Sequence, residues 1–178
     1  EHPISRIIDY PSSPLLVVNK GLMDWDGNSI TYLLKSNNVD YEFFTNNKLY
    51  LLDGQEYWVY DGSTCVAVTP ASGSDLTPIK RCTRLIQRGQ RMFALGDPQN
   101  PNYLYFSEIG DPSNFKASSI VKAVTDDDDT LQGLALFSSS LLAFKKDEIF
   151  RWTGWDPNSD VQFNPLDTGH GTVAPDTV

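Results

Sequence analysis

Apolar and polar positions alternate along most of this chain with a period of two, in short runs broken by Asn, Asp and Gly. From Val39 the pattern is regular. Residues 39–45 (VDYEFFT) alternate at the strand period, and Asn46-Asn47 breaks the run. KLYLL (48–52) follows, then Asp53-Gly54, EYWVY (56–60), Asp61-Gly62 and TCVAV (64–68). Short strands joined by such turn residues predict an antiparallel β-meander. Residues 69–78 (TPASGSDLTP) are small and polar and predict a connector. The pattern then returns in CTRLIQR, RMFALG (91–96), YLYFSE (103–108) and SSIVKAV (118–124). It returns again in LQGLALF (131–137), LLAFKK (141–146), EIFRWTG (148–154) and VQFNPL (161–166). The segment LTPIKRCTRLIQR is the best helix candidate, but its β-branched content and the Gly89-Gln90 turn that follows favour a strand.

Three segments share this plan: NNKLYLLDGQEYWVYDG, RGQRMFALGDPQNPNYLYFSEIGDPSNF and FSSSLLAFKKDEIFRWTGWDPNSDVQF. Each runs turn, strand, turn, aromatic-rich strand and Asp-containing turn, at a spacing of about 45 residues, in the range of propeller blades. The expected architecture is all-β, with antiparallel meander repeats arranged like a propeller. It comprises about three blades of a larger protein, because propellers close with about four or more. Residues 1–38 are expected to form an N-terminal arm, rich in Pro and Ser up to Pro14, and a first hairpin around Asp26-Gly27-Asn28. Residues 39–178 form the repeats, at approximately 39–78, 79–125 and 130–178. A meander with one apolar face must stack on a neighbour to bury it. Tyr50, Tyr57, Trp58, Phe93, Tyr105, Phe106, Phe144, Phe150 and Trp152 are the expected packing residues. The start at Glu1 without Met, and the stop at Val178, fit a piece of a longer polypeptide.

Charge narrows the partners. The net charge is −9, which disfavours a phosphate backbone, so direct nucleic-acid binding is not expected. Lys80, Arg81, Arg84, Arg88 and Arg91 form the densest basic stretch and alternate with apolar residues, which reads as the solvent side of strands. Cys65 and Cys82 have no metal spacing and read as free buried thiols. No apolar run reaches transmembrane length and no signal peptide is visible, so no membrane partner is expected.

Catalytic signatures are sparse. His2 lies in the terminal segment and His170 in a Gly-flanked turn. There is no nucleophile elbow, no P-loop and no dinucleotide fingerprint. No catalytic residue, cofactor or firm metal site is assigned. Asp126, Asp127, Asp128 and Asp129 form a weak candidate cation loop without EF-hand spacing, and more plainly a solvated loop tip. Trp152, Trp155 and Tyr103 would stack on sugar rings if exposed, although core packing is the ordinary fate of such residues. A glycosidase would need two carboxyls at a defined separation, and neighbours on one turn such as Glu108 and Asp111 seldom provide it.

One ordered set of motifs goes further. RMFALGDPQNPNYLYFSEIGDPSNF combines a short strand, Gly-Asp-Pro, Asn-Pro-Asn, an aromatic strand ending in Ser-Glu, and a second Gly-Asp-Pro. With KLYLLDGQEYWVYDG upstream, and LQGLALFSSSLLAFKKDEIFRWTG and GHGTVAPDTV downstream, it resembles structural proteins of tailed bacteriophages and prophages. The resemblance covers roughly Val39 to Val178. It implies a non-enzymatic virion component of the tail or head–tail connection. Such a component would be made in the bacterial host cytoplasm and would act by assembling with other virion proteins and with copies of itself. The alternative is a carbohydrate-binding propeller module for adsorption to a host surface.

Overall fold

The computed structural model describes residues 3–31, 34–123, 129–138, 140–154 and 162–172. They form four four-stranded antiparallel sheets, each a simple up-and-down meander, here called blades 1 to 4. Blade 1 holds β1 (Ile4–Ile8), β2 (Leu15–Val18), β3 (Gly21–Asp24) and β4 (Ser29–Thr31). Blade 2 holds β5 (Asp40–Phe43), β6 (Leu49–Leu52), β7 (Tyr57–Tyr60) and β8 (Cys65–Ala67). A short helix α1 (Thr77–Arg81) leads into blade 3, made of β9 (Arg84–Arg88), β10 (Arg91–Leu95), β11 (Tyr103–Phe106) and β12 (Ile120–Lys122). Blade 4 holds β13 (Gly133–Phe137), β14 (Ser140–Phe144), β15 (Glu148–Thr153) and β16 (Gln162–Thr168).

The all-β, propeller-like reading holds, with two corrections. The N-terminal segment is not an arm with one hairpin but a full sheet. Its Pro- and Ser-rich stretch (11–14) is only the loop between β1 and β2, whose residues pair from Ile8↔Leu15 to Ile4↔Val18. There are therefore four blades rather than three. The second correction is α1. Pro78 sits in the first turn, where its fixed φ suits a helix and its missing N–H costs nothing. The strand signal in this segment belongs to 84–88 alone.

Successive blades stack face to face. In blades 2 to 4 the first strands lie side by side, with β9 next to both β5 and β13. The core is accordingly three slabs. Ile8, Leu15, Val17 and Leu22 of blade 1 meet Leu49, Leu51, Trp58 and Tyr60 of blade 2. Tyr50, Leu52 and Tyr57 of blade 2 meet Met92, Ala94 and Tyr105 of blade 3, with Ile79 and Phe115 between. Phe93, Leu95, Leu104 and Phe106 of blade 3 meet Leu141, Ala143, Phe150 and Trp152 of blade 4.

This arrangement explains a departure from simple alternation. LYLL in β6 and RMFAL in β10 are apolar almost throughout because each strand is buried on both faces. Alternate side chains serve different slabs: Leu49 and Leu51 face blade 1, Tyr50 and Leu52 face blade 3. Cys65 and Cys82 are free and buried in different slabs, which keeps them apart. Burial pushes the Cys65 thiol up to about 12, so it is inert near neutrality.

Candidate functional site

Two buried aspartates fasten the middle blades. Each follows the second strand of its blade and turns the chain into the third. Asp53 accepts the backbone N–H groups of Gln55 (3.0 Å) and Glu56 (2.7 Å), the Trp58 indole N–H (2.9 Å) and the Lys35 N–H from the preceding connector (2.7 Å). Asp97 stands at the same place in blade 3 and is fully buried. It accepts from Gln99 N–H (3.1 Å), Asn100 Nδ2 (3.0 Å) and the Tyr105 hydroxyl (2.9 Å). Arg81 at the end of α1 grips it with two bonds of 2.7 and 2.9 Å. In both blades the pattern is the same: the aspartate ties its own turn, an aromatic of the third strand and the incoming connector. Burial alone would raise the Asp97 carboxyl, but these donors outweigh it and hold the group well below the usual carboxylate range.

The basic stretch is therefore not a solvated face. Arg81 holds Asp97, and Lys80 reaches Glu56 at 2.9 Å. Arg88 and Arg91 are each only 9% exposed. Arg88 donates to the Gly154 carbonyl (3.0 Å), a link from blade 3 to blade 4, and Arg91 donates to the Ser107 carbonyl (2.5 Å). These contacts lie far apart in sequence, which is why local alternation misread them.

The sequence-predicted site residues are scattered. Trp152 is 1% exposed and packs edge-on against Phe93 and Phe106, at 5.1 and 5.2 Å between ring centroids. Tyr103 lies on the opposite face of blade 3, half-buried, with the Lys122 ammonium 4.8 Å over its ring. The two do not form one platform, and Trp155 lies outside the described residues. Asp126, Asp127 and Asp128 also lie outside them. Asp129 spends its carboxylate on the Thr130 and Lys146 backbone N–H groups, at 2.8 and 2.6 Å. Glu108 and Asp111 form an isolated bridge. Glu108 pairs with Lys116 at 3.1 Å and Asp111 binds the Ser113 N–H and hydroxyl, so both carboxylates serve the turn. His170 is exposed. Among the described residues no group of three or more His, Cys, Asp or Glu side chains is placed to hold a metal, and no helix is long and apolar enough to cross a membrane.

What the sequence reading missed lies on the two end blades. β2 (LLVV) and β14 (SLLAF) carry apolar side chains on both faces, like the strands of the middle blades, yet among the described residues only one face is covered. In blade 1, Ile7, Leu16 and Met23 form one cross-strand row on the outer face, with Val18 beside it. Ile4 and Ile7 are 53% and 55% exposed. In blade 4, Ala135, Leu142 and Arg151 form one outer row, and Phe144 pairs with Ile149 in another. Phe137, at the edge of that face, is 72% exposed. Phe144, expected in the core, is half-buried because it points to this outer side.

Solved structures of similar fold are known. Over 94% of its length the chain superposes, with a TM-score of 0.60 and 10% identity, on the extracellular domain of a hybrid two component system from B. thetaiotaomicron. PorZ, a bacterial surface component of the type-IX secretion system of Porphyromonas gingivalis, matches over 92% of the chain at a TM-score of 0.50 and 13% identity. A Bacteroides caccae protein of unknown function matches over 95% at 0.53 and 9% identity. The chain spans 22%, 21% and 61% of the lengths of these three proteins. At such identities the likeness is one of fold. No protein-family model and no curated protein sequence matches the chain.

Proposed function

We propose that this chain is a non-catalytic assembly module of a bacteriophage particle, in the tail or head–tail connection, whose end blades dock onto neighbouring subunits or further blades. One observation carries the assembly reading: the end blades have the two-sided apolar strands of interior blades but present one side to solvent. A surface row of Ile, Leu, Met and Phe is the signature of an interaction face. Burying such side chains is worth about 1.5–3 kcal/mol each, so a few suffice to drive association. The assignment to a phage particle rests on the ordered resemblance of residues 39–178 to tailed-phage structural proteins. The carbohydrate-binding alternative gains no support from Trp152, which is core.

The test is to purify particles from the phage or prophage that encodes the chain and quantify their proteins by mass spectrometry. The proposal expects the chain's peptides at a fixed stoichiometry to the tail or connector proteins. Their presence only in the soluble lysate would overturn it.

A further inference from the structure

A cavity of about 310 Å³ opens between blades 3 and 4, lined by Arg88, Gly89, Gln90, Arg91, Phe93, Ile109 and Trp152. Its size lies at the small end of ligand pockets, and its mix of apolar walls with a few polar groups is typical of them. Three features of its polar end stand out. Arg88 and Arg91 face each other directly across the β9–β10 hairpin. Two like charges opposite one another in a sheet repel, and burial strengthens the repulsion. Among the described residues Arg91 meets no carboxylate: its partners are the neutral Ser107 carbonyl and the face of Phe106, 5.6 Å away. Finally, its Nε is buried without a hydrogen-bond partner. A guanidinium nine-tenths buried, with a donor unspent and no carboxylate beside it among the described residues, is costly unless an anion completes it.

We propose that this cavity binds a compact monocarboxylate with an apolar or aromatic body. The carboxylate is received by Arg91, and the body packs against Phe93, Trp152 and Ile109. The Arg91 guanidinium suits a carboxylate, as a planar cation that donates charge-assisted hydrogen bonds. The apolar walls favour a hydrocarbon body over a polyhydroxylated one. A volume of about 310 Å³ favours a small molecule over a polymer. This inference is independent of the assembly reading.

Benzoate is the probe, titrated into the full chain by calorimetry, with benzyl alcohol as its neutral counterpart. Saturable one-site binding is expected below about 10 mM, with the alcohol weaker by at least about tenfold, because a charge-assisted contact is lost. Arg91→Met should abolish the preference for benzoate. Because that variant removes a buried anchor, Ile109→Trp provides the control for folding. It fills the cavity's edge from a position 59% exposed, so it should block benzoate while leaving the thermal midpoint in place. Equal binding of benzyl alcohol, absence of saturation, or benzoate binding undiminished in Ile109→Trp would each overturn the proposal.

Discussion

Replacing Asp97 by alanine removes the acceptor for four side-chain bonds and one backbone bond at a single fully buried site. Arg81 is a quarter exposed and can turn to water, so its loss is partly recovered. The Tyr105 hydroxyl has less freedom, because its residue is 3% exposed and its ring is fixed in the slab between blades 2 and 3. Hydrogen bonds to a charged group contribute about 1.5–3 kcal/mol each, but in a shared network they do not add. Breaking a buried ion pair from one side costs about 3–5 kcal/mol, and the site resembles that case. A loss of about 4 kcal/mol is therefore expected, which for a domain of this size lowers the thermal midpoint by about 8–16 °C. Urea unfolding followed by tryptophan fluorescence measures it, with Tyr105→Phe and the double variant completing a cycle. The cycle should show coupling of about 1 kcal/mol or more between Asp97 and Tyr105. A loss below about 1 kcal/mol for Asp97→Ala would refute the reasoning, since it would place the site among ordinary surface turns.

Other outcomes follow from the same geometry. Burial raises the Asp40 and Glu42 carboxyls on β5 despite their hydrogen bonds, so both favour the folded state when protonated. Their contribution to stability should grow as pH falls from 7 toward the unfolded carboxylate range near pH 4, and Asp40→Asn should flatten that rise in chemical unfolding curves. Asp97 has the opposite sign: its contribution is complete above about pH 4 and is lost only as pH falls through its depressed folded value. Gly96→Ala should be destabilising by more than about 1 kcal/mol, read from the thermal midpoint, because φ is +85° and a Cβ would collide with the Thr83 hydroxyl. Trp58→Phe should cost about 1–3 kcal/mol, since it leaves Asp53 one donor short in a buried site.

The sequence makes the meanders legible because turn chemistry and period act locally. Asn47 at φ 60° and Gly54 at φ 78° sit where the Asn-Asn and Asp-Gly signals put turns. Packing was also readable in part: Tyr57, Phe93 and Trp152 are core. Blade 1 was obscured because Pro11 to Pro14 dominates the composition around two strands of only five and four residues. The aspartate clamps were hidden for a different reason. Asp53-Gly54 and Gly96-Asp97-Pro98 read as plain turns, and nothing local shows that Lys35 or Arg81 arrives to bind them. Arg88 and Arg91 failed in the same way, since burial between blades is a tertiary property. The open end faces were written in LLVV and SLLAF, but two-sided apolar strands gain meaning only once the neighbours on each side are known.

The central claim, that the outer faces of blades 1 and 4 are interfaces, is tested most directly by the mass of the chain in solution. Light scattering across a concentration series should show association of the unmodified chain. Phe137→Glu, with the side chain 72% exposed, should remain folded and shift the population to monomer. An unmodified chain that stays monomeric at every concentration, with the same mass as Phe137→Glu, would contradict the account.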